Sequence, residues 1–153
     1  SKEVNLWEID KDKRVYRNKK YPVGLNKGFF QVKDFHKAFG HLVASRPVFV
    51  DGERLANRVK WTQEELQELL DAKTVTEQAD AVIDAIYFLL GTLVEMGVMP
   101  DRLFDIVQEA NMGKLHDVNG EKTAVYREDG KVKKPENWEE NFAPEPRLEE
   151  EIQ

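Results

Sequence analysis

The spacing of hydrophobic positions along the chain predicts helices. Between Phe29 and Val43 apolar residues recur every three or four positions, which is typical of an amphipathic helix. The same spacing recurs from about Glu53 to Ala72. The residue before a proline avoids the α conformation, so Ser45-Arg46-Pro47 should end the first helix. We therefore expect one helix over 29–43 and a second over 53–72.

The next segment carries clear helix boundaries. Thr74-Val75-Thr76-Glu77 has the sequence of a capping box, which predicts a helix start at Thr74. This third helix would run through the apolar stretch 81–94 to Met96, and Gly97 suits the left-handed position that follows a helix. Pro100 suits the first turn of a fourth helix over 101–112.

These elements predict an all-α fold, a helical bundle. The connection between the second and third helices is short, so they should form an antiparallel hairpin. The third helix is too apolar to be covered by two short neighbours. We therefore expect dimerisation to complete the core, with this helix packed against its symmetry mate.

The two ends of the chain lack this periodicity. Residues 1–28 are polar and rich in turn-forming residues, which predicts an arm with little structure of its own. Residues 139–153 are acidic and contain proline, which predicts a mobile tail. The domain itself is expected over 29–138.

Charge and composition narrow the possible partners. The chain has 153 residues and a net charge of −6, which argues against binding to a nucleic acid polymer. It has no cysteine, which excludes disulfides and thiolate metal sites. The apolar stretch 81–94 is shorter than the roughly 18 residues of a membrane span. No secretory signal is visible, so a cytoplasmic location is expected.

Two acidic clusters precede the apolar stretch of the third helix. One contains Glu64, Glu65 and Glu68, and the other contains Glu77 and Asp80. Carboxylates that gather where a chain becomes buried repel one another unless a cation lies between them. All the candidate ligands are hard oxygen atoms, which favours Mg²⁺, with Mn²⁺ as a possible substitute.

Structural explanations compete with the metal site. Glu-rich stretches are commonly solvated helix faces, and Glu77 has a role in the capping box. Asp84 is harder to explain in this way, because an unpaired carboxylate among apolar neighbours is costly. If the acids are only surface residues, the chain could be a helical interaction module without enzymatic activity.

The acidic pattern resembles a known enzyme superfamily. Glu-Glu-x-x-Glu followed by Glu-x-x-Asp is similar to the all-α nucleoside triphosphate pyrophosphohydrolases, which include MazG-like and phosphoribosyl-ATP pyrophosphohydrolase-like proteins. The segments 95–98, 100–104, 110–115 and 128–135 extend the resemblance towards small MazG-like hydrolases of the dUTPase type. The resemblance implies hydrolysis of a (deoxy)nucleoside triphosphate between the α and β phosphates, with magnesium, in a homodimer or a dimer of dimers.

The resemblance also implies roles for particular residues. The metal ligands would be Glu65, Glu68, Glu77 and Asp80. Glu64 would bind a second ion or orient the attacking water, so Glu64 and Glu65 are the candidate catalytic residues. Asp84, one helical turn further on, would support these ligands or hold a second ion.

A set of cationic and polar residues follows or ends the fourth helix and could bind the phosphates or sugar. Its members are Asn111, Lys114, Arg127, Lys131 and Lys134. The base pocket should come from the first helix, where Phe35 could stack on a base and His36 could hydrogen-bond with it. We expect His36 on the exposed side of that helix and Phe39 in the core.

The predicted function is therefore magnesium-dependent hydrolysis of a (deoxy)nucleoside triphosphate to the monophosphate and pyrophosphate. The alternatives are a phosphoribosyl-ATP pyrophosphohydrolase and the interaction module. The preferred base and the number of metal ions stay open.

Overall fold

The computed structural model describes residues 3–10 and 15–153, with side chains from Val23 onward. The fold is all-α, as predicted from the sequence. The helices are α1 (Leu25–Phe39), α2 (Gly52–Asp71), α3 (Val75–Met96), α4 (Asp101–Met112), α5 (Trp138–Phe142) and α6 (Glu145–Ile152). Two antiparallel pairs of strands accompany them: β1 (Glu3–Asp10) with β2 (Val15–Pro22), and β3 (His116–Val118) with β4 (Glu121–Thr123).

The chain forms two compact units. The first unit comprises residues 1–100 and contains α1, α2 and α3. The second unit comprises residues 101–153 and contains α4, α5, α6 and the short strands β3 and β4.

Helices α2 and α3 form the predicted antiparallel hairpin. Residues later in α2 contact residues earlier in α3. Arg54 binds Glu95, and further along α2 the ring of Trp61 lies 6.1 Å from that of Phe88. At the start of α3, the Thr74 hydroxyl accepts a hydrogen bond from the Glu77 amide at 3.1 Å, which confirms the predicted cap.

A buried ion pair joins the two helices of the hairpin. Arg58 is 3% exposed, and its guanidinium lies 3.2 Å from the fully buried carboxylate of Glu95. Arg58 also donates hydrogen bonds to the Phe88 carbonyl at 2.5 Å and to the Thr92 hydroxyl at 3.1 Å. Removing one partner of such a pair leaves an uncompensated buried charge, which costs about 3–5 kcal/mol. The pair therefore fixes which residues of α2 face which residues of α3.

Helix α1 covers one side of α3. Phe29 and Val32 from α1 pack with Val94 from α3 in the buried core of the first unit. A Cβ on Gly91 would lie 2.2 Å from Nη2 of Arg58 and 2.9 Å from Nε2 of His36. A glycine at this position of α3 lets α1 and the Arg58 side chain approach the helix closely.

The first helix differs from its prediction at both ends. It spans Leu25–Phe39 and ends at Gly40, which has a φ of 71° and donates its amide to the His36 carbonyl. The left-handed conformation of Gly40 stops the helix before the Ser45-Arg46-Pro47 segment. The predicted boundary at residue 43 is therefore wrong.

Both termini carry regular structure where the sequence predicted little. The segment expected to be an arm contains the hairpin of β1 and β2 and the start of α1. The segment expected to be a mobile tail forms most of α5 and all of α6, which pairs Arg147 with Glu109 of α4 at 2.5 Å. The division into an arm, a domain over 29–138 and a tail stays a prediction.

Among the described residues, no single helix combines the length and hydropathy needed to cross a membrane. Helices α3 and α4 meet that test only when taken together, across the break between them, and only by length and composition.

Candidate active site

Three carboxylates from the two helices of the hairpin meet at one place. Glu65 and Glu68 lie one turn apart on α2, and Asp84 faces them from α3. One oxygen from each side chain lies within 4.8 Å of the others. The short link between the helices and the register fixed by Arg58 bring these three acids together.

Glu65 is the most perturbed member of this group. Its Oε2 is buried and has no hydrogen-bond partner among the described residues. Burial raises the pKa of Glu65 from 4.5 to about 7, helped by a hydrogen bond with Glu68 and by the charges of Glu68, Asp84 and Asp80. Burial also raises the pKa of Asp84, again with help from Asp80 and Glu68. The site therefore favours added positive charge, either as a proton or as a cation.

The group fits a divalent cation on its own geometry. A buried carboxylate oxygen without a partner is rare in folded proteins and is satisfied by an ion or water when one is present. Within the described side chains, none of the three acids has an ion pair with a lysine or arginine. Arg58 binds Glu95, and Arg102 pairs with Asp105 and Glu151. The carboxylates are thus available as hard oxygen ligands.

The other predicted acids lie beside this group. Asp80 is exposed but close enough for its charge to raise the pKa of Glu65 and Asp84. Glu77 is exposed, and its Oε2 accepts a hydrogen bond from the Lys73 amide at 2.6 Å, which ties it to the start of α3. Glu64 is exposed on α2 and lies outside the group of three. Their roles as ligands or catalytic residues stay predictions.

An open aromatic cluster lies next to the acids. The ring of Phe35 lies 4.5 Å from that of Phe39, 5.6 Å from Tyr87 and 5.7 Å from His41. Tyr87 follows Asp84 by three residues on α3, so the cluster begins about one turn from the carboxylates. We refer to Phe35, Phe39, His41 and Tyr87 as the aromatic cluster.

Comparison with known proteins identifies the family. The family model of phosphoribosyl-ATP pyrophosphohydrolase matches residues 32–111, which is just over half of the 153 residues. The chain belongs to this family. The match confirms the resemblance to the MazG-like superfamily and shows that the protein is an enzyme, a pyrophosphohydrolase that acts on a nucleotide. A search of the curated proteins found no match.

The matched region contains all the acids of the candidate site, from Glu64 to Asp84, whereas most of the second unit lies beyond it. Members of the family are typically metal-dependent, which agrees with the chemistry of the three carboxylates. The interaction module considered from the sequence is therefore not the function of this pyrophosphohydrolase.

Two expectations for the base pocket of the enzyme need correction. His36 is not on the exposed side of α1: it is 2% exposed, and its Nδ1 lies 2.8 Å from the Leu42 carbonyl. Burial lowers the pKa of His36, since it disfavours the charged ring. Phe39 is not in the core, because it is 67% exposed. Binding of the base by Phe35 and His36 stays a prediction.

His41 is a candidate that sequence reasoning missed. It is exposed, and its ring meets the rings of Phe35 and His36 edge-on. The signal that could have found it is Gly40, because a helix that ends there turns the next residue back towards α1. The His41 amide makes this turn by donating to the His36 carbonyl at 2.7 Å.

The predicted phosphate-binding residues of the enzyme all belong to the second unit. Asn111 is exposed in the last turn of α4, and Lys131 is exposed as well. Arg127 pairs with Asp129 in its own turn. Lys114 and Lys134 both lie over the ring of Trp138, at 5.5 Å and 4.5 Å from its centre. Contact of these residues with phosphate or sugar stays a prediction.

The raised pKa of Glu65 predicts how the metal-free enzyme responds to pH. The folded state holds a proton on Glu65 up to about pH 7, whereas the unfolded chain releases it near pH 4.5. The free energy of unfolding should therefore fall as pH rises through this window. In Glu65→Gln the fall should be smaller, because the neutral amide has no proton to lose. Urea unfolding in the presence of a chelator measures this.

Glu64→Gln is the matched control, since it removes an exposed acid from the position just before Glu65 on α2. Its stability should follow the wild-type pH dependence. An equal slope in Glu65→Gln and wild type would show that Glu65 titrates normally and would contradict the described site.

Proposed function

We propose that the enzyme hydrolyses a (deoxy)nucleoside triphosphate to the monophosphate and pyrophosphate, using Mg²⁺ held by Glu65, Glu68 and Asp84. The observation that carries this proposal is the buried Oε2 of Glu65, which lies among two further carboxylates and has no hydrogen-bond partner in the described part of the chain. Asp80 and Glu77 would complete the ligand set from the first turns of α3. Mn²⁺ should substitute, because it accepts the same hard oxygen ligands.

An acidic site needs cations to accept a triphosphate, which is itself strongly negative. A divalent ion held by Glu65, Glu68 and Asp84 would supply positive charge for the phosphates and would lower the pKa of the attacking water. Glu65 must give up its proton to act as a ligand, so occupation of the site should be weaker below pH 7. Glu64, exposed one position before Glu65, would orient the water or accept its proton.

The aromatic cluster supports a nucleoside as the other part of the substrate. Phe35 and Tyr87 present ring surface about one turn from Asp84, which suits a base whose phosphates lie at the carboxylates. Stacking on an aromatic ring contributes about 1–3 kcal/mol per base and accepts any base. Selection of one base then falls to hydrogen-bonding groups beside the rings.

Phosphoribosyl-ATP is the second candidate substrate, because it is the one named in the description of the matching family. It also carries a triphosphate, so the three carboxylates would serve either reaction. The region beyond the match, residues 112–153, contains four of the residues predicted to bind the phosphates: Lys114, Arg127, Lys131 and Lys134.

Amide variants test the metal ligands. Glu68→Gln and Asp80→Asn should lose most turnover, because each removes a charge that holds the metal. Their stability without metal should hold or rise, since one repelling carboxylate has gone. Glu53→Gln, an exposed acid in the first turn of α2, is the control and should retain both properties. Near-wild-type turnover in both amide variants would reject these ligand assignments.

A substrate panel separates the two candidate reactions. Pyrophosphate release should be fastest with one of the common nucleoside or deoxynucleoside triphosphates, at 1 mM substrate with magnesium. The Phe35→Ala variant should raise KM for that substrate about tenfold or more, because a stacked base loses its ring. A clear preference for phosphoribosyl-ATP over every simple triphosphate would reject our choice of substrate.

We also propose that the hairpin forms a homodimer through its uncovered apolar face. The exposed apolar residues of this face are Leu66, Leu70, Val82, Ile83, Ile86 and Leu89. Several large exposed apolar residues on two packed helices are typical of a protein interface. A second copy of the same hairpin would bury it in an isologous contact, and two dimers could then associate.

Light scattering tests this assembly. The wild-type protein should have the mass of at least a dimer at micromolar concentration, and Leu89→Glu should dissociate it by burying a charge in the interface. Gln63→Glu adds the same charge at an exposed position of α2 and should leave the mass unchanged. A stable wild-type monomer would contradict the proposal.

A further inference from the structure

The side chain of Trp138 brings two lysines of the second unit together. Nζ of Lys114 lies 5.5 Å from the centre of its ring, and Nζ of Lys134 lies 4.5 Å from the same centre. The two ammonium nitrogens are therefore no farther than 10 Å apart, the sum of these distances. Both ammonium groups therefore lie near the same ring, where an anion can accept charge-assisted hydrogen bonds from them.

Trp138 is fixed by contacts that leave its ring little freedom. The residue is buried, and its indole Nε1 donates to the Ala110 carbonyl at 2.8 Å. Its own amide donates to the Pro135 carbonyl at 3.1 Å. One turn later on α5, Phe142 lies so close to Gly113 that a Cβ there would be 2.4 Å from its ring. Helix α5 is thus docked on the segment that carries Lys114.

Two contacts of the Lys133 backbone fix the chain just before Lys134. The Lys133 amide donates to the Val125 carbonyl at 2.7 Å. The Lys133 carbonyl lies 2.9 Å from Nε2 of His116. The Lys134 side chain then reaches the Trp138 ring and also lies 3.5 Å from the carboxylate of Glu139.

An aromatic ring holds an ammonium differently from a carboxylate. It attracts the charge through its quadrupole and does not occupy the N–H donors as an anion would. An ammonium has three such donors. Among the ion pairs of the described side chains, none involves Lys114. Its donors are therefore available for a ligand while the ring restricts its long, flexible stem.

We propose that Trp138 is a positioning residue that holds the ammonium groups of Lys114 and Lys134 for the phosphate groups of a polyphosphate ligand bound on the second unit. The inference rests on the proposed function, because it takes a polyphosphate as the anion. It gives α5, which lies outside the region matched by the family model, a role in binding that polyphosphate.

Binding of inorganic tripolyphosphate by the full chain tests this positioning, with a chelator present so that the carboxylates contribute no metal. Lys114→Met and Trp138→Leu should each weaken binding about tenfold, since hydrogen bonds to charged groups contribute this much. The double variant should bind no more weakly than the worse single variant, because both changes remove the same ammonium contact. Independent, multiplying losses would overturn the inference.

Two further variants of α5 separate positioning from folding. Trp138→Phe keeps a ring for the ammonium groups but loses the hydrogen bond to Ala110, so it should lower the melting temperature and retain most of the affinity. Phe142→Leu changes the packing on Gly113 without touching either lysine contact and should behave in the same way. Loss of affinity in step with the melting temperature across all variants would overturn the inference.

The outcome is distinguishable from that of the proposed reaction. Hydrolysis of a nucleotide together with tripolyphosphate binding that ignores Trp138 would overturn the inference and leave the reaction standing. Tripolyphosphate binding that depends on Trp138 would support the inference, whether or not the substrate panel identifies a simple triphosphate.

Discussion

The buried ion pair between Arg58 and Glu95 is the contact on which the active-site region depends. It fixes the register of α2 against α3, and every later pairing along the hairpin follows from that register. Two turns beyond Arg58, Glu65 then faces Asp84 and shares a site with it. A shift of one residue along either helix would turn one of these carboxylates away from the other. A strong buried contact thus holds in place a site whose clustered carboxylates destabilise the fold when no cation is bound.

The three carboxylates of the site repel one another, and the same oxygen atoms can bind a cation. Three carboxylates within 4.8 Å would be avoided in a protein selected for stability alone. Glu65 is the most affected of the three: its Oε2 is buried with no partner among the side chains from Val23 onward, and its pKa is raised to about 7. The pKa values of residues at functional sites are often shifted in this way, because the bound ligand relieves the unfavourable energy of the free site. The family is typically metal-dependent, and the perturbed carboxylates agree with that chemistry.

The sequence predicted the helices well because local signals marked their ends. Thr74 and Gly97 bound α3 through a side-chain cap and a left-handed conformation, both of which depend on the residue type itself. The end of α1 was predicted wrongly because both Gly40 and the later Pro47 can end a helix. Gly40 comes first along the chain, so the helix ends there. Helices α5 and α6 were missed because they are short and stabilised by contacts with α4, which no local pattern reports.

The acids were predicted from their spacing in the sequence, but which of them lie together could be seen only in the fold. Glu65 and Glu68 could be placed on one face of α2 from the sequence, but the position of Asp84 opposite them follows from the register of the hairpin. The resemblance implied that Asp84 supports the ligands or holds a second ion, and the structure places it among the three carboxylates. His36 and Phe39 were misplaced for a related reason: which side of α1 is buried depends on its contact with α3 and with Gly91.

Proton release during metal binding tests the central claim most directly. Calorimetric titration with Mg²⁺ at pH 7, in two buffers of different ionisation enthalpy, gives the number of protons displaced per ion. Because the pKa of Glu65 is raised to about 7, its carboxyl still carries a proton in part of the molecules at this pH, and binding should release a measurable fraction of a proton per site. The Glu65→Gln variant should release clearly less. Binding without proton release in the wild type, or equal release in both proteins, would contradict the assignment of Glu65 as the carboxylate that a metal ion satisfies.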